Sequence, residues 1–161
     1  MRSVAKRWPG RDGGSDGART MLSTLWIFIT ANYIYCDLLS NMEAETLKGY
    51  LAGSVGGMSL TQQFLLGAAA FMEIPFAMIF LSRALSYRAS RWANIAAGGV
   101  MAAAQVASFF VGTPMTLHYW FYSIIEIACA LYIAWRALRW KPEAEIAPVR
   151  AGQAGDERSI G

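Results

Sequence analysis

Metal and thiol chemistry have almost nothing to work with in this chain. It carries one histidine, His118, and two cysteines, Cys36 and Cys129. A single histidine cannot supply both axial ligands of a bis-histidine haem, and the cysteines form no Cys-x-x-Cys motif for thiol exchange. No Cys/His group has zinc spacing. No metal site and no cofactor is expected. The net charge is only +3, and the basic residues lie beside apolar runs rather than in a patch. That distribution speaks against a phosphate-binding surface, so nucleic acid is not an expected partner.

What the chain has in abundance is apolar sequence. Of its 161 residues, 55% are hydrophobic, too many for an ordinary soluble domain of this length. Four apolar runs of about 20 residues each would use about half the chain and leave only tails and short loops. The expected spans are about 22–39, 60–81, 92–111 and 117–138. The predicted fold class is therefore all-α, a four-helix transmembrane bundle forming one domain over 21–140. Residues 1–20 and 141–161 read as disordered polar tails. Met21 stands at the edge of the first run as an alternative translation start. Ser40-x-x-Glu43 has the form of a capping box opening a short external helix over about 42–52, with Gly53 as its stop. Gly56 and Gly57 are expected to loosen the chain before the second span, and Gly112-Thr113-Pro114 to turn it before the fourth. Pro75 lacks an N–H and is predicted to kink the second span, freeing the carbonyl of Phe71.

Lysine and arginine set the orientation. With both termini cytoplasmic, every Lys and Arg except Lys48 falls on the inside, as expected for a multi-pass protein of a cell inner membrane. The same arginines give depth. Glu73 lies ten residues before Arg83, and Glu126 ten before Arg136. At about 1.5 Å per residue, each carboxylate sits roughly 15 Å from the inner interface, near mid-membrane. Asp37 and His118 fall near the outer interface, and Gln105 between. Cys36 and Cys129 differ in depth by about 15 Å, too far for a disulfide.

An ionisable group at mid-membrane marks a site by default. The predicted ligand or proton site is a polar seam of Glu73, Glu126, Asp37, Gln105 and Tyr122. Pro75 supplies the kink. Two nearby carboxylates at low dielectric cannot both ionise cheaply, which suits a proton relay or capture of a cationic ligand. The rival reading makes the glutamates interhelical glue, hydrogen-bonded to carbonyls or to Gln105. The stripe from Asn94 through Gly98, Met101, Gln105 and Ser108 to Gly112 reads first as helix packing rather than a pore lining, His118 and the tryptophans as interfacial anchors, and the arginines as topology signals. The second and fourth spans also share Glu-Ile-x-x-Ala, a hint of a parallel repeat.

The stretches Leu22–Phe28 and Asn32–Asp37, then Met72–Pro75, Tyr87–Asn94 and Ile124–Ile127, resemble a bacterial family of small four-helix membrane proteins known as a domain of unknown function. The resemblance covers about 21–140 and implies an inner-membrane location without an established activity. By architecture alone the chain is distantly similar to DoxX-type proteins, some of which accompany redox enzymes. Three functions follow as expectations. The first is a small-molecule or proton site between helices. The second is a non-catalytic subunit anchoring a membrane protein partner, or a homo-oligomer. The third and least favoured is intramembrane acid/base catalysis, for which no nucleophile or catalytic motif is present.

Overall fold

The computed structural model describes residues 15–110 and 116–141. Of the expected tails 1–20 and 141–161, residues 1–14 and 142–161 lie outside the described residues, as does the turn at Gly112-Thr113-Pro114. The fold is all-α, with five helices: α1 (Ser15–Asn41), α2 (Ala44–Leu51), α3 (Gln62–Ala84), α4 (Tyr87–Ser108) and α5 (Leu117–Leu138). Between α2 and α3 lies a minimal hairpin of β1 (Ser54–Val55) and β2 (Met58–Ser59). Three helical stretches, Asp16–Asn41, Gln62–Ala84 and Leu117–Leu138, are long and apolar enough to cross a membrane. α4 matches them in length, but Arg88, Arg91, Asn94 and Gln105 dilute its apolar character.

The four long helices form a ring in which α1 packs on α3 and α5, and α4 packs on α5 and α3. Successive helices run antiparallel, so one end gathers the start of α1, the end of α3, the start of α4 and the end of α5. That end carries Arg19, Arg83, Arg88, Arg91, Arg136, Arg139 and Lys141. At the opposite end Lys48 pairs with Glu45 at 3.0 Å. The arginines do more than mark an end. Arg19 Nη1 donates to the carbonyls of Arg83 (2.8 Å) and Leu85 (2.7 Å), where α3 leaves its last acceptors unfilled. Arg91 Nη2 does the same for Leu138 at the end of α5, at 2.9 Å. Tyr87 Oη donates to the Trp140 carbonyl, and the Arg19 guanidinium lies 5.7 Å from the centroid of that indole.

The tightest contact is between α4 and α5. A Cβ at Gly98 would stand 2.8 Å from the Ala130 carbonyl oxygen, so only glycine lets these backbones approach. Between the basic end and mid-helix lies a buried polar cluster. Asn94 Oδ1 accepts from Trp26 Nε1 (2.7 Å) and Ser82 Oγ (3.0 Å), while Asn94 Nδ2 donates to the Ser90 carbonyl (2.8 Å). Ser90 Oγ donates to the Ser82 carbonyl, and Ser23 Oγ to that of Ile79.

Several local expectations are corrected. Gly56 and Gly57 do not loosen the chain. Both have positive φ, 53° and 79°, which suits a two-residue type I′ turn and closes the hairpin that pairs Val55 with Met58. The capping box does not form. α1 runs on through Ser40, whose Oγ donates back to the Cys36 carbonyl, and the Glu43 carboxylate accepts from Thr46 Oγ1 instead. α2 begins at Ala44, without a side-chain cap from Glu43. Gly53 does follow the end of α2, with φ 73°. α1 begins before Met21: Ala18 is buried and Arg19 clamps α3, so both belong to the folded unit. Pro75, the expected kink residue, lies inside α3 and is fully buried.

Candidate functional site

Towards the end opposite the arginines the four long helices leave a cavity of about 210 Å³ between them. α1 contributes Tyr33, Cys36 and Asp37, and α3 contributes Phe71 and Met72. α4 adds Met101, Ala104, Gln105 and Ser108; α5 adds Tyr119 and Glu126. Each set follows from helical spacing. Tyr33, Cys36 and Asp37 fall three or four apart, as do Met101, Ala104 or Gln105, and Ser108, so each set lies on one face. Hydrogen bonds among the walls fix the shape. Gln105 Nε2 donates to Ser123 Oγ at 2.8 Å, and the Ser108 and Tyr119 hydroxyls meet at 2.6 Å. Above, His118 Nε2 lies 3.3 Å from Ser40 Oγ and 3.2 Å from Thr116 Oγ1, joining the start of α5 to the end of α1.

Glu126 is the centre of the cavity's chemistry. It is 1% exposed, and neither carboxyl oxygen has a hydrogen-bond partner. The buried Tyr33 hydroxyl is likewise without one. Buried polar atoms are nearly always paired, because leaving one unpaired costs about 1–3 kcal/mol. Three orphaned oxygens thus sit on residues that line one cavity. Asp37 lines the same cavity but is exposed, which puts it at the mouth. α2 approaches that mouth. Burial, and then the charge of Asp37, push the Tyr50 hydroxyl above its ordinary pKa.

Of the residues expected at the site, Glu126, Asp37 and Gln105 come together. Glu73 does not join them. Its neighbours Phe71 and Met72 line the cavity with Glu126, but Glu73 itself is exposed on the outer face of α3. The reason is angular. α3 buries Pro75, Met78 and Ser82, and Glu73 is two residues, about 200°, out of phase with Pro75. Tyr122 also lies elsewhere, in a shallow outer groove with Phe28, Ala31, Asn32 and Tyr35. Tyr119, one turn earlier, takes the place at the cavity. Sequence reasoning passed over Tyr33 and Tyr119 as site residues, although each shares a helical face with a residue it named: Tyr33 with Asp37, and Tyr119 with Tyr122 and Glu126. Among the described residues no three His, Cys, Asp or Glu side chains gather closely enough to hold a metal ion.

Fold and cavity together define a small all-α protein with membrane-length apolar helices and a carboxylate buried at an internal cavity. Residues 14–147 match the sequence profile of a family of unknown function, DUF6326, and the chain belongs to that family. No curated protein and no solved structure matches the chain.

Proposed function

We propose that this is a multi-pass membrane protein that holds a small molecule bearing a cationic or hydrogen-donating group at Glu126. In this reading all four long helices cross the bilayer as a four-helix bundle. α4 crosses in spite of its weaker hydropathy because its polar residues Asn94 and Gln105 are buried or half-buried against other helices. The arginine-rich end lies in the cytoplasm of a bacterial cell and the cavity opens towards the outer face of the inner membrane. The observation that carries the reading is the pair of unpartnered, buried carboxyl oxygens on Glu126. An apolar cavity of about 150 Å³ accepts benzene, so about 210 Å³ suits a compact molecule somewhat larger than one ring. Phe71, Met72, Met101 and Ala104 would cover its apolar part. Glu126 would accept its donors, and the Tyr33 hydroxyl would add a partner. Asp37 at the mouth would draw in a cation.

One acid at the mouth and another at the buried end of the same cavity favour a second reading, proton uptake from the outer face through Asp37 to Glu126. The DoxX-type likeness rests on helix number and carries none of this argument.

Native mass spectrometry of the protein in mild detergent, beside Glu126→Gln, tests the first reading. A small adduct on the unaltered protein that is lost from Glu126→Gln is the expected result, and its mass reports the ligand. Identical spectra would overturn it. Glu126-dependent proton flux into liposomes would then favour the second reading. A protein bound equally to both would instead point to an anchoring role.

A further inference from the structure

Glu73 stands outside the cavity and calls for an account of its own. α3 is the most apolar of the three membrane-length helices, with a mean hydropathy of 2.1, yet only 11% of its apolar stretch is buried. Its buried residues occupy one face. On the opposite face Leu66, Ala69, Glu73, Phe76 and Phe80 are all exposed, Leu66 and Phe80 by 71% and 73%. They succeed one another at steps of three, four, three and four, the a/d spacing of a coiled-coil seam with Glu73 at a central a position. Stripes to either side are interrupted, one by the partly covered Met72 and Ile79, the other by Ile74 and Ala77. The seam is thus the centre of the outward face.

We infer that this seam joins two copies of the chain, α3 against α3, with Glu73 opposite its symmetry mate. With α3 spanning the bilayer as proposed above, on which this inference rests, hydrocarbon offers a mid-helix carboxyl no partner, which favours one from protein. The basic residues of the described chain sit at the helix ends, so a second copy brings no cation to that height. It does bring its own Glu73. Copies inserted the same way round pack α3 in parallel about a two-fold axis, and in a parallel pair each a position faces its equivalent. A protonated carboxyl carries one donor and one acceptor oxygen, so two of them satisfy each other. A single polar a position also fixes the register of such a seam. Ala69, one step away, lets the two backbones approach, and Leu66 and Phe80 pack above and below. The cavity lies on the other side of α3, so this contact is independent of what Glu126 binds.

The test uses the full chain in lipid nanodiscs. Single cysteines from Leu66→Cys and Phe80→Cys, each in a Cys36→Ala, Cys129→Ala background, are oxidised beside Ile124→Cys, a control 61% exposed on α5. Covalent dimers are expected from the two seam positions and not from the control. In the unaltered chain, native mass spectra from bilayers should count two copies. Glu73→Leu should weaken the dimer about tenfold, while Glu73→Gln, whose amides can pair in the same way, should stay within about threefold. Neither variant should change a cavity adduct. A single copy at every protein-to-lipid ratio, equal cross-linking from Ile124→Cys, or a different protein seated on α3 would overturn the inference.

Discussion

Two polar centres lie within the same ring of helices, and they are built in opposite ways. At Asn94 the side-chain oxygen and nitrogen are both engaged, by Trp26 and Ser82 on one side and Ser90 on the other. At Glu126 neither oxygen is engaged. Both residues are fully buried. Burial therefore does not distinguish the two centres, whereas hydrogen-bond completeness does. A saturated cluster locks helices together, and an unsaturated one beside a cavity leaves room for something the chain does not supply.

Replacing each polar residue by leucine should break this comparison open. Asn94→Leu strips Trp26 Nε1 of its buried acceptor and should destabilise the fold by about 2–4 kcal/mol, the largest effect expected. Thermal unfolding in mild detergent, followed by tryptophan fluorescence, would measure it. Gly98→Ala pushes a methyl against the Ala130 carbonyl and should cost about 1–3 kcal/mol in the same assay. If it were neutral, the α4–α5 approach would be looser than described. Glu126→Leu should have the opposite sign. It removes two unpartnered oxygens and should raise the stability of ligand-free protein by about 1 kcal/mol while ending binding. A loss of several kcal/mol from Glu126→Leu in ligand-free protein would instead class Glu126 with Asn94.

Much of this could be read from the residues. The four long helices, including α5 at Leu117–Leu138, followed from apolar runs, and the distance from each glutamate to a terminal arginine led to the expectation that the two lie level. Height along a helix is a count of residues and is robust. Azimuth is a phase, and it depends on which stripe a helix buries. α5 buries Ser123, Glu126, Ala130, Ile133 and Ala137, a seam that includes its glutamate. α3 buries Pro75, Met78 and Ser82, a seam that excludes Glu73. The Glu-Ile-x-x-Ala pattern common to both helices suggested equivalence, but two similar pentapeptides say nothing about phase over a whole helix. The arginines were legible as charge and not as carbonyl clamps, because their acceptors, such as Leu85 and Leu138, are backbone atoms with no sequence signature. The paired glycines misled in the other direction: a tight turn needs their positive φ as much as a flexible one would.

The bond from Trp26 to Asn94 also has a history within each molecule's synthesis. Its partners are separated by 68 residues, which a ribosome adds in roughly 3–14 s at about 5–20 residues per second. For that interval no rearrangement of α1 and α3 alone can bring Asn94 to the indole. The nascent chain thus cannot complete this bond until its third long helix arrives, several seconds after its first.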